Sequence, residues 1–396
     1  MSFFSSKKES EVVLVFDIGS GSVGGAIVFA SRTHSPTILY TFRSDIPFQE
    51  EATGARLLSL MLRSLSQVVM AITHEGFDLA GFKDHRPHIR EVVVSLGAPW
   101  VISKTSVLTL RNEKPIPITE KVFSELLKHS ESETRPAESE LPKERLLLEQ
   151  RLIKSVLNGY GMDAPYGKEA LTAEFSVFKS FSVPAVTGKI EDTVRQLVHT
   201  DHLTFHAFAL LGFLAIKSLS IAEDNFMFVD VSGEQTELAL VKGGALLETL
   251  TFPFGKNRLV RTLKRHTAVP LGGIAALAKL TVEGKGTGRL FERSEKVLQE
   301  AMYEWQKEFS KTLSNYLREL FLPRLIFLTA DDDVTPLFAK ALESSEWNIS
   351  AVSPATSQIV LINNDALTSL VSYSSTSMHD PFLGLISASI GTLRME

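Results

Sequence analysis

Two short turns contain the residues whose types and spacing could contact a phosphate. One turn follows Asp17 and the other follows Asp230, and each aspartate ends an apolar run. Glycine and serine in such turns let backbone N–H groups approach phosphate oxygens. The two carboxylates are candidates to hold the water shell of Mg²⁺, which prefers carboxylate and phosphate oxygens. Besides the two aspartates, the candidate phosphate-binding residues are Gly19, Ser20, Gly21, Ser22, Ser232 and Gly233.

The segments around the two turns repeat one another. The first, 14–28, reads LVFDIGSGSVGGAIV, and the second, 228–241, reads FVDVSGEQTELALV. Both have an aspartate between apolar residues, then a small polar turn, then a strand pattern. Repetition of a supersecondary unit indicates a repeated architecture, so the sequence predicts two similar lobes that face a cleft. Each turn taken alone can also be read as an ordinary structural hairpin.

The rest of the chain alternates strand and helix patterns, which predicts an α/β fold. Strands are predicted within 11–30 (two, joined by a turn) and at 37–42, 91–96, 101–110, 146–158, 170–183, 226–244 (a hairpin) and 325–329. Helices are predicted at 55–72, from the N-cap Thr119 to 130, and at 188–198, 205–220, 294–320 and 334–343. The most polar segment, 130–143, predicts an exposed loop.

The composition excludes several classes of function. A chain of 396 residues suits two or more domains, and the absence of cysteine excludes disulfides and thiolate metal sites. The net charge of -5, without a basic block, argues against nucleic-acid binding. The most apolar run, 205–216, is shorter than the ~20 residues of a membrane span. It predicts a buried helix, and contact with a membrane is expected only through partners.

Taken in order, the motifs resemble those of the actin-like ATPase superfamily, and in particular the FtsA/PilM family. The resembling segments are DIGSGSVGGAIV at 17–28 (phosphate-1 loop), 84–183 with VLNGYGMDAPYGKEALTAEF (inserted subdomain), DVSGEQTELALVKGG at 230–244 (phosphate-2 loop), TFPFGKNRLVRTL at 251–263 (start of the fourth subdomain), LIFLTADDDVTPLFAKAL at 325–342 (adenosine loop and helix) and DPFLGLISASIGTLR at 380–394 (chain end). The resemblance covers nearly the whole chain.

The resemblance implies a two-lobed actin/Hsp70-like fold of the ribonuclease-H type with an inserted strand–helix–strand–strand subdomain. The implied parts are the first lobe at 1–83, the inserted SHS2-type subdomain at 84–183, a return to the first lobe at 184–222, the second lobe at 223–260, a helical subdomain at 261–322, and the second lobe with a final return to the first at 323–396. ATP and Mg²⁺ are the implied cofactors, with Gly255 as a further binding residue and Asp17 and Asp230 nearest the metal.

The resemblance also implies a cytoplasmic protein, peripheral to the inner membrane, that holds protein partners. A PilM-type role implies the cytoplasmic tail of an inner-membrane protein as the partner. An FtsA-type role implies a division-filament protein. A homo-oligomer or filament is compatible with both.

Three departures from the family pattern bear on activity. Glu234 stands where the family mostly has glycine and threonine, and is expected to point a carboxylate at a phosphate, which repels it. Ala330 and the acidic run 331–333 occupy the place of the adenosine loop's glycine pair, and Lys256 replaces a second glycine after Gly255. These departures favour a scaffold in pilus or secretion assembly or in cell division, with a degenerate nucleotide site and no catalytic residue. An active ATPase that polymerises or tethers a division filament stays the alternative.

Overall fold

The structure is a computed structural model that describes residues 10–31, 34–51, 53–133, 144–219, 221, 223–317, 323–343 and 357–393. The strands are β1 (Ser10–Ile18), β2 (Ser22–Ser31), β3 (Thr37–Asp45), β4 (Ile89–Leu96), β5 (Ile102–Pro117), β6 (Leu146–Leu157), β7 (Tyr160–Gly161), β8 (Glu169–Ser182), β9 (Leu203–Ala207), β10 (Phe226–Val231), β11 (Thr236–Lys242), β12 (Ala245–Phe252), β13 (Leu325–Ala330), β14 (Gln358–Leu361) and β15 (Ser372–Tyr373). The helices are α1 (Gly54–Ala71), α2 (Phe77–Leu79), α3 (Glu120–Glu133), α4 (Pro184–Arg195), α5 (Phe208–Lys217), α6 (Lys256–His266), α7 (Ile274–Glu283), α8 (Arg289–Leu317), α9 (Thr335–Glu343), α10 (Asn364–Leu367) and α11 (Pro381–Leu393).

The first lobe is built on a six-stranded sheet in the order β15-β3-β2-β1-β4-β9. The central strand β1 is almost wholly apolar and buried, as expected for a strand covered on both faces. Two neighbouring glycines of β2 mark the two faces. A Cβ on Gly25 would meet Val68 of α1, whereas one on Gly24 would meet the Arg43 side chain on the opposite side.

The second lobe repeats this plan with a five-stranded sheet in the order β12-β11-β10-β13-β14. β1 pairs antiparallel with β2 and parallel with β4, and β10 pairs in the same way with β11 and β13. Asp17 and Asp230 occupy matching positions in the two central strands. The predicted internal repeat and the α/β class are therefore confirmed.

The inserted sheet has the strand order β5-β8-β6-β7 and packs α3 on one face around Phe175 and Leu127. Thr119 precedes this helix, and its hydroxyl accepts the amide of Val122, as an N-cap does. The inserted subdomain is predicted from the sequence at 84–183, a range that includes β4. That strand pairs with β1 in the first lobe, and the inserted sheet begins only at Ile102.

One strand of the inserted sheet, β6, contacts both lobes through three charged side chains. Glu149 accepts the amide of Ala207, the residue before α5, at 2.8 Å. Arg151 donates to a carbonyl in the last turn of α11 at 2.8 Å, and Lys154 donates to the Gly243 carbonyl of the second lobe at 2.6 Å. The acid at a helix start and the base at a helix end suit the two helix dipoles.

The apolar run at 205–216 is partly mispredicted. Its first residues belong to β9, which pairs with β4, so the helix begins at Phe208 rather than at 205. Every residue from Phe208 to Ile216 is buried, as expected for a core helix. α5 packs on strands of both lobes and against α11.

Some predictions fall partly or wholly on residues that the structure leaves undescribed. The predicted loop at 130–143 coincides at its start with the end of α3, and 134–143 lie outside the described residues. The long helix predicted at 294–320 begins earlier, at Arg289, and 318–322 are likewise outside them.

Among the described residues, one helical stretch, Gly54–Leu79, is long and apolar enough to cross a membrane by length and composition. It comprises α1, a π-helical turn (Ile72–Gly76) and α2. Its apolar residues Met61, Leu65 and Val68 are fully buried in the core of the first lobe. The stretch therefore packs as a core helix of this lobe.

Candidate functional site

The two glycine–serine turns contact each other directly across the lobes. The amide of Ser20 donates to the Ser232 hydroxyl at 3.1 Å, and the amide of Glu234 donates to the Ser20 hydroxyl at 2.9 Å. The two hydroxyl oxygens are 3.0 Å apart and share a further hydrogen bond. Each serine thus accepts an amide of the opposite turn. Two amides of the kind predicted to face a phosphate are already satisfied inside the protein.

Glycines make this contact sterically allowed. A Cβ on Gly233 would lie 2.5 Å from the Gly21 Cα, and a Cβ on Gly21 would lie 3.0 Å from the Gly233 Cα. A Cβ on Gly255 would lie 2.3 Å from the Ser232 carbonyl oxygen. The glycines that are predicted to bind a phosphate thus let the backbones of the two turns, and of the start of α6, approach one another.

The first amides of α6 are also occupied. A helix N-terminus is a common anion site because its first amides lack partners within the helix. Here the Lys256 amide donates to the Ser232 carbonyl at 3.0 Å, and the Asn257 amide donates to the Gly233 carbonyl at 2.7 Å. The second turn therefore covers the start of α6.

Strand register brings a guanidinium to the first aspartate. Asp17 on β1 lies opposite Gly24 on β2, and Gly24 lies opposite Arg43 on β3. Because Gly24 has no side chain, Arg43 extends over it, and its Nη2 reaches the Asp17 Oδ2 at 2.9 Å. A Cβ at Gly24 would lie only 2.6 Å from that nitrogen.

The same guanidinium makes three further hydrogen bonds. Nε and Nη2 donate to the two carboxylate oxygens of Asp380 at 2.6 and 3.0 Å, and Nη1 donates to the Ser22 hydroxyl at 2.8 Å. Its Cζ lies 5.0 Å from the centre of the Phe382 ring, within cation–π range. Burial alone would lower the pKa of Arg43, but Asp380 and Asp17 together raise it above its ordinary value, so the group stays charged.

Asp17 lies among several acids. Burial raises the pKa of its carboxyl, the Arg43 guanidinium opposes that rise, and the charges of Asp380 and Asp331 add to it. The arginine is therefore the group that favours an ionised Asp17.

The second lobe has a buried pair of carboxyls at the matching place. Asp230 on β10 lies directly opposite Glu237 on β11. Burial raises the pKa of Asp230 to about 7 although the Thr329 hydroxyl donates to it at 2.8 Å. Burial and the charge of Asp230 raise the pKa of Glu237 to about 8, and the Glu237 Oε2 has no hydrogen-bond partner in the described part of the chain.

Two of the departures noted in the sequence, Lys256 and the acidic run 331–333, pair with each other, and the third, Glu234, pairs with an arginine. The Lys256 ammonium lies 2.8 Å from a carboxylate oxygen of Asp331 and 2.8 Å from one of Asp333. The expectation that Glu234 points at a phosphate is wrong. Its carboxylate accepts two hydrogen bonds from the guanidinium of Arg261 on α6, at 2.6 and 3.1 Å. Glu234 is not among the residues that line the gap between the turns.

The architecture matches a solved structure over almost its whole length. The chain is similar to a chain of the PilM-PilN type IV pilus biogenesis complex with a TM-score of 0.60, at 14% identity, over 97% of this chain and 98% of that one. The protein has an actin-like fold.

Two further structures are more distant. EutJ, an ethanolamine utilization protein from Carboxydothermus hydrogenoformans, matches with a TM-score of 0.43 at 10% identity, over 96% of this chain and 88% of that one. A Bacteroides thetaiotaomicron protein with an actin-like ATPase fold matches with a TM-score of 0.40 at 11% identity, over 93% and 98%. No protein-family model and no curated protein sequence matches the chain.

The cleft of this actin-like fold does not fit ATP with Mg²⁺. Seven of the nine predicted cofactor-binding residues line the gap between the turns: Asp17, Gly19, Gly21, Ser22, Asp230, Ser232 and Gly233. The other two, Ser20 and Gly255, are not among its lining residues. Asp17, the predicted magnesium residue, already binds a guanidinium. A nucleotide would have to break the contact between the lobes.

Three functional residues of the cleft were missed in the sequence. Arg43 lies one residue beyond the predicted third strand, and only the register of three strands brings it to Asp17. Asp380 comes from the far end of the chain, and Glu237 reads as an ordinary strand residue. The one signal for Arg43 in the sequence is the Gly24-Gly25 pair, because glycine inside a strand often marks a place where another group approaches the backbone closely.

Replacing Gly233 with alanine should separate the turns. The new Cβ would overlap the Gly21 Cα, so we expect Gly233→Ala to lower the free energy of unfolding by about 2 kcal/mol. Gly188→Ala in α4 is the control, because nothing lies within 4 Å of its Cβ, and it should leave stability equal or slightly higher. Urea unfolding measures both. An unchanged or more stable Gly233→Ala would mean that the turns are apart in solution.

The carboxyl pair makes stability depend on pH. Because the pKa values of Asp230 and Glu237 are raised in the folded state to about 7 and about 8, the unfolded chain loses these protons first. Stability therefore falls as the pH rises from about 4 to about 8. Glu237→Gln should reduce the loss in unfolding free energy between about pH 5 and about pH 9 by about 4 kcal/mol, since about three pH units separate pH 5 from the raised pKa.

Glu174→Gln, at an exposed position of β8, is the matched control for this pH series and should follow the wild type. If Glu237→Gln loses as much unfolding free energy between these pH values as the wild type, the pKa of Glu237 is not raised by burial.

Proposed function

We propose that this protein is an actin-like scaffold whose cleft is closed by its own residues and takes no nucleotide. The observation that carries the proposal is the reciprocal pair of hydrogen bonds between Ser20 and the second turn, centred on Ser232. The turn amides that would bind phosphates join the lobes instead, and the first amides of α6 are taken by carbonyls of the second turn. The fold is then held in one arrangement without a cofactor.

Within that role, a PilM-like scaffold at the cytoplasmic face of the inner membrane is the assignment we favour. It is supported by the likeness in fold, over nearly full length, to a chain of a complex that contains PilM and PilN. By this analogy the protein partner is the cytoplasmic tail of an inner-membrane protein in pilus or secretion assembly. The strand–helix–strand–strand insertion and the exposed faces of both lobes are the surfaces available to it.

An actin-like ATPase that polymerises or tethers a division filament is the second candidate. It is favoured by the placement of Asp17 and Asp230 on either side of the gap, where a working member of such a fold would need two carboxylates. It requires an open state in which the two turns are separate.

Calorimetric titration of the full chain with ATP and Mg²⁺, and with ADP and Mg²⁺, separates the two candidates. We expect no heat of binding up to millimolar nucleotide, because binding must first break the contact between the turns. Gly233→Ala is a useful companion, since a weakened contact is expected to allow weak binding. Micromolar binding to the wild type would overturn the closed-cleft proposal in favour of the ATPase.

A further inference from the structure

Acidic side chains from different elements meet at the gap. Asp17, Asp230 and Asp331 line it, and Asp380 lies behind Arg43. Among the described residues that line the gap, Arg43 is the cation. The Lys256 ammonium reaches Asp331 from the second lobe.

The position of Arg43 is built rather than incidental. Three neighbouring strands place it beside Asp17, and Gly24, which has no side chain, leaves space for the Arg43 side chain. Four hydrogen bonds fix the planar guanidinium. The Phe382 ring covers its Cζ at 5.0 Å. A guanidinium with this many bonds is held in one orientation and stays charged.

Asp380 connects the same cation to the last helix. Its Oδ1 accepts the amide of Leu383 at 3.0 Å, which caps the start of α11. The Tyr373 hydroxyl donates to its backbone carbonyl at 3.0 Å. Arg43 thus joins the first turn, the central sheet and the start of α11 at one point.

We propose that the Arg43 guanidinium is a built-in counter-ion that occupies the place of a divalent cation in the cleft. The inference rests on the proposed absence of nucleotide and names the group that makes a cofactor unnecessary. A metal ion neutralises carboxylates only while it is bound, whereas a side chain does so permanently. The closed state then does not depend on the concentration of a cation or nucleotide.

The consequence is that removing the guanidinium should turn the gap into a cation site. Without Arg43, the carboxylates of Asp17 and Asp380 lose their counter-charge, and a divalent ion can supply it with oxygen ligands. Arg43→Gln removes the charge and retains a polar side chain. Arg43→Lys retains the charge. Arg261→Gln removes a second paired arginine, outside the gap and bound to Glu234.

The test measures the binding of Mn²⁺ alone to the full-length proteins at about pH 8. Electron paramagnetic resonance reports the concentration of the free ion. We expect Arg43→Gln to bind one Mn²⁺ at least about tenfold more tightly than the wild type. Arg43→Lys and Arg261→Gln should match the wild type, and adding Asp17→Asn to Arg43→Gln should abolish the gain.

A folded Arg43→Gln protein without a gain in Mn²⁺ binding overturns the inference. If that variant does not fold alone, millimolar Mn²⁺ should restore the wild-type circular dichroism spectrum, and failure to do so also overturns it. These results are independent of the nucleotide titration. A wild type that binds ATP refutes the closed-cleft scaffold, whereas an Arg43→Gln variant that ignores Mn²⁺ refutes only the counter-ion.

Discussion

The contact between the two glycine–serine turns sets the relation of the lobes. Each turn presents a serine hydroxyl to an amide of the other, and Gly21 and Gly233 let the backbones approach closely enough for both bonds to form. Every hydrogen bond of this kind stabilises the closed arrangement by about 1 kcal/mol net. Breaking them costs more if an amide is left buried without a partner. The buried helix α5 packs on strands of both lobes, so the closed state is supported from behind as well.

Charge in and around the cleft is balanced by the protein itself. Arg43 serves Asp17 and Asp380, Lys256 serves Asp331 and Asp333, and Arg261 serves Glu234. Removing one partner of such a half-buried pair leaves the other charge without a counter-charge in a low-dielectric environment, which is destabilising. β6 of the inserted sheet adds contacts to the ends of α5 and α11 and to the second lobe. These features suit a rigid platform for protein partners.

The sequence predicted the architecture better than it predicted the chemistry of the cleft. The repeat around Asp17 and Asp230 was visible because strand alternation and turn residues are local signals. The role of the turns was not, because a glycine placed for a phosphate and a glycine placed for another backbone look the same along the chain. Glu234 is predicted to face a phosphate because it follows the turn glycine along the chain, whereas its partner Arg261 lies on α6, two strands further on. Likewise, Arg43 and Asp380 are 337 positions apart and meet only in the fold.

Disulfide trapping tests the contact between the lobes most directly. The chain has no cysteine, so Ser20→Cys with Ser232→Cys introduces the only two thiols, at positions whose hydroxyl oxygens are 3.0 Å apart. Thiols this close are within reach of a disulfide after small side-chain adjustments. The account predicts a rapid intramolecular crosslink at a rate that millimolar ATP and Mg²⁺ do not change. A folded double variant that stays reduced, or that nucleotide protects from oxidation, would contradict a closed cleft.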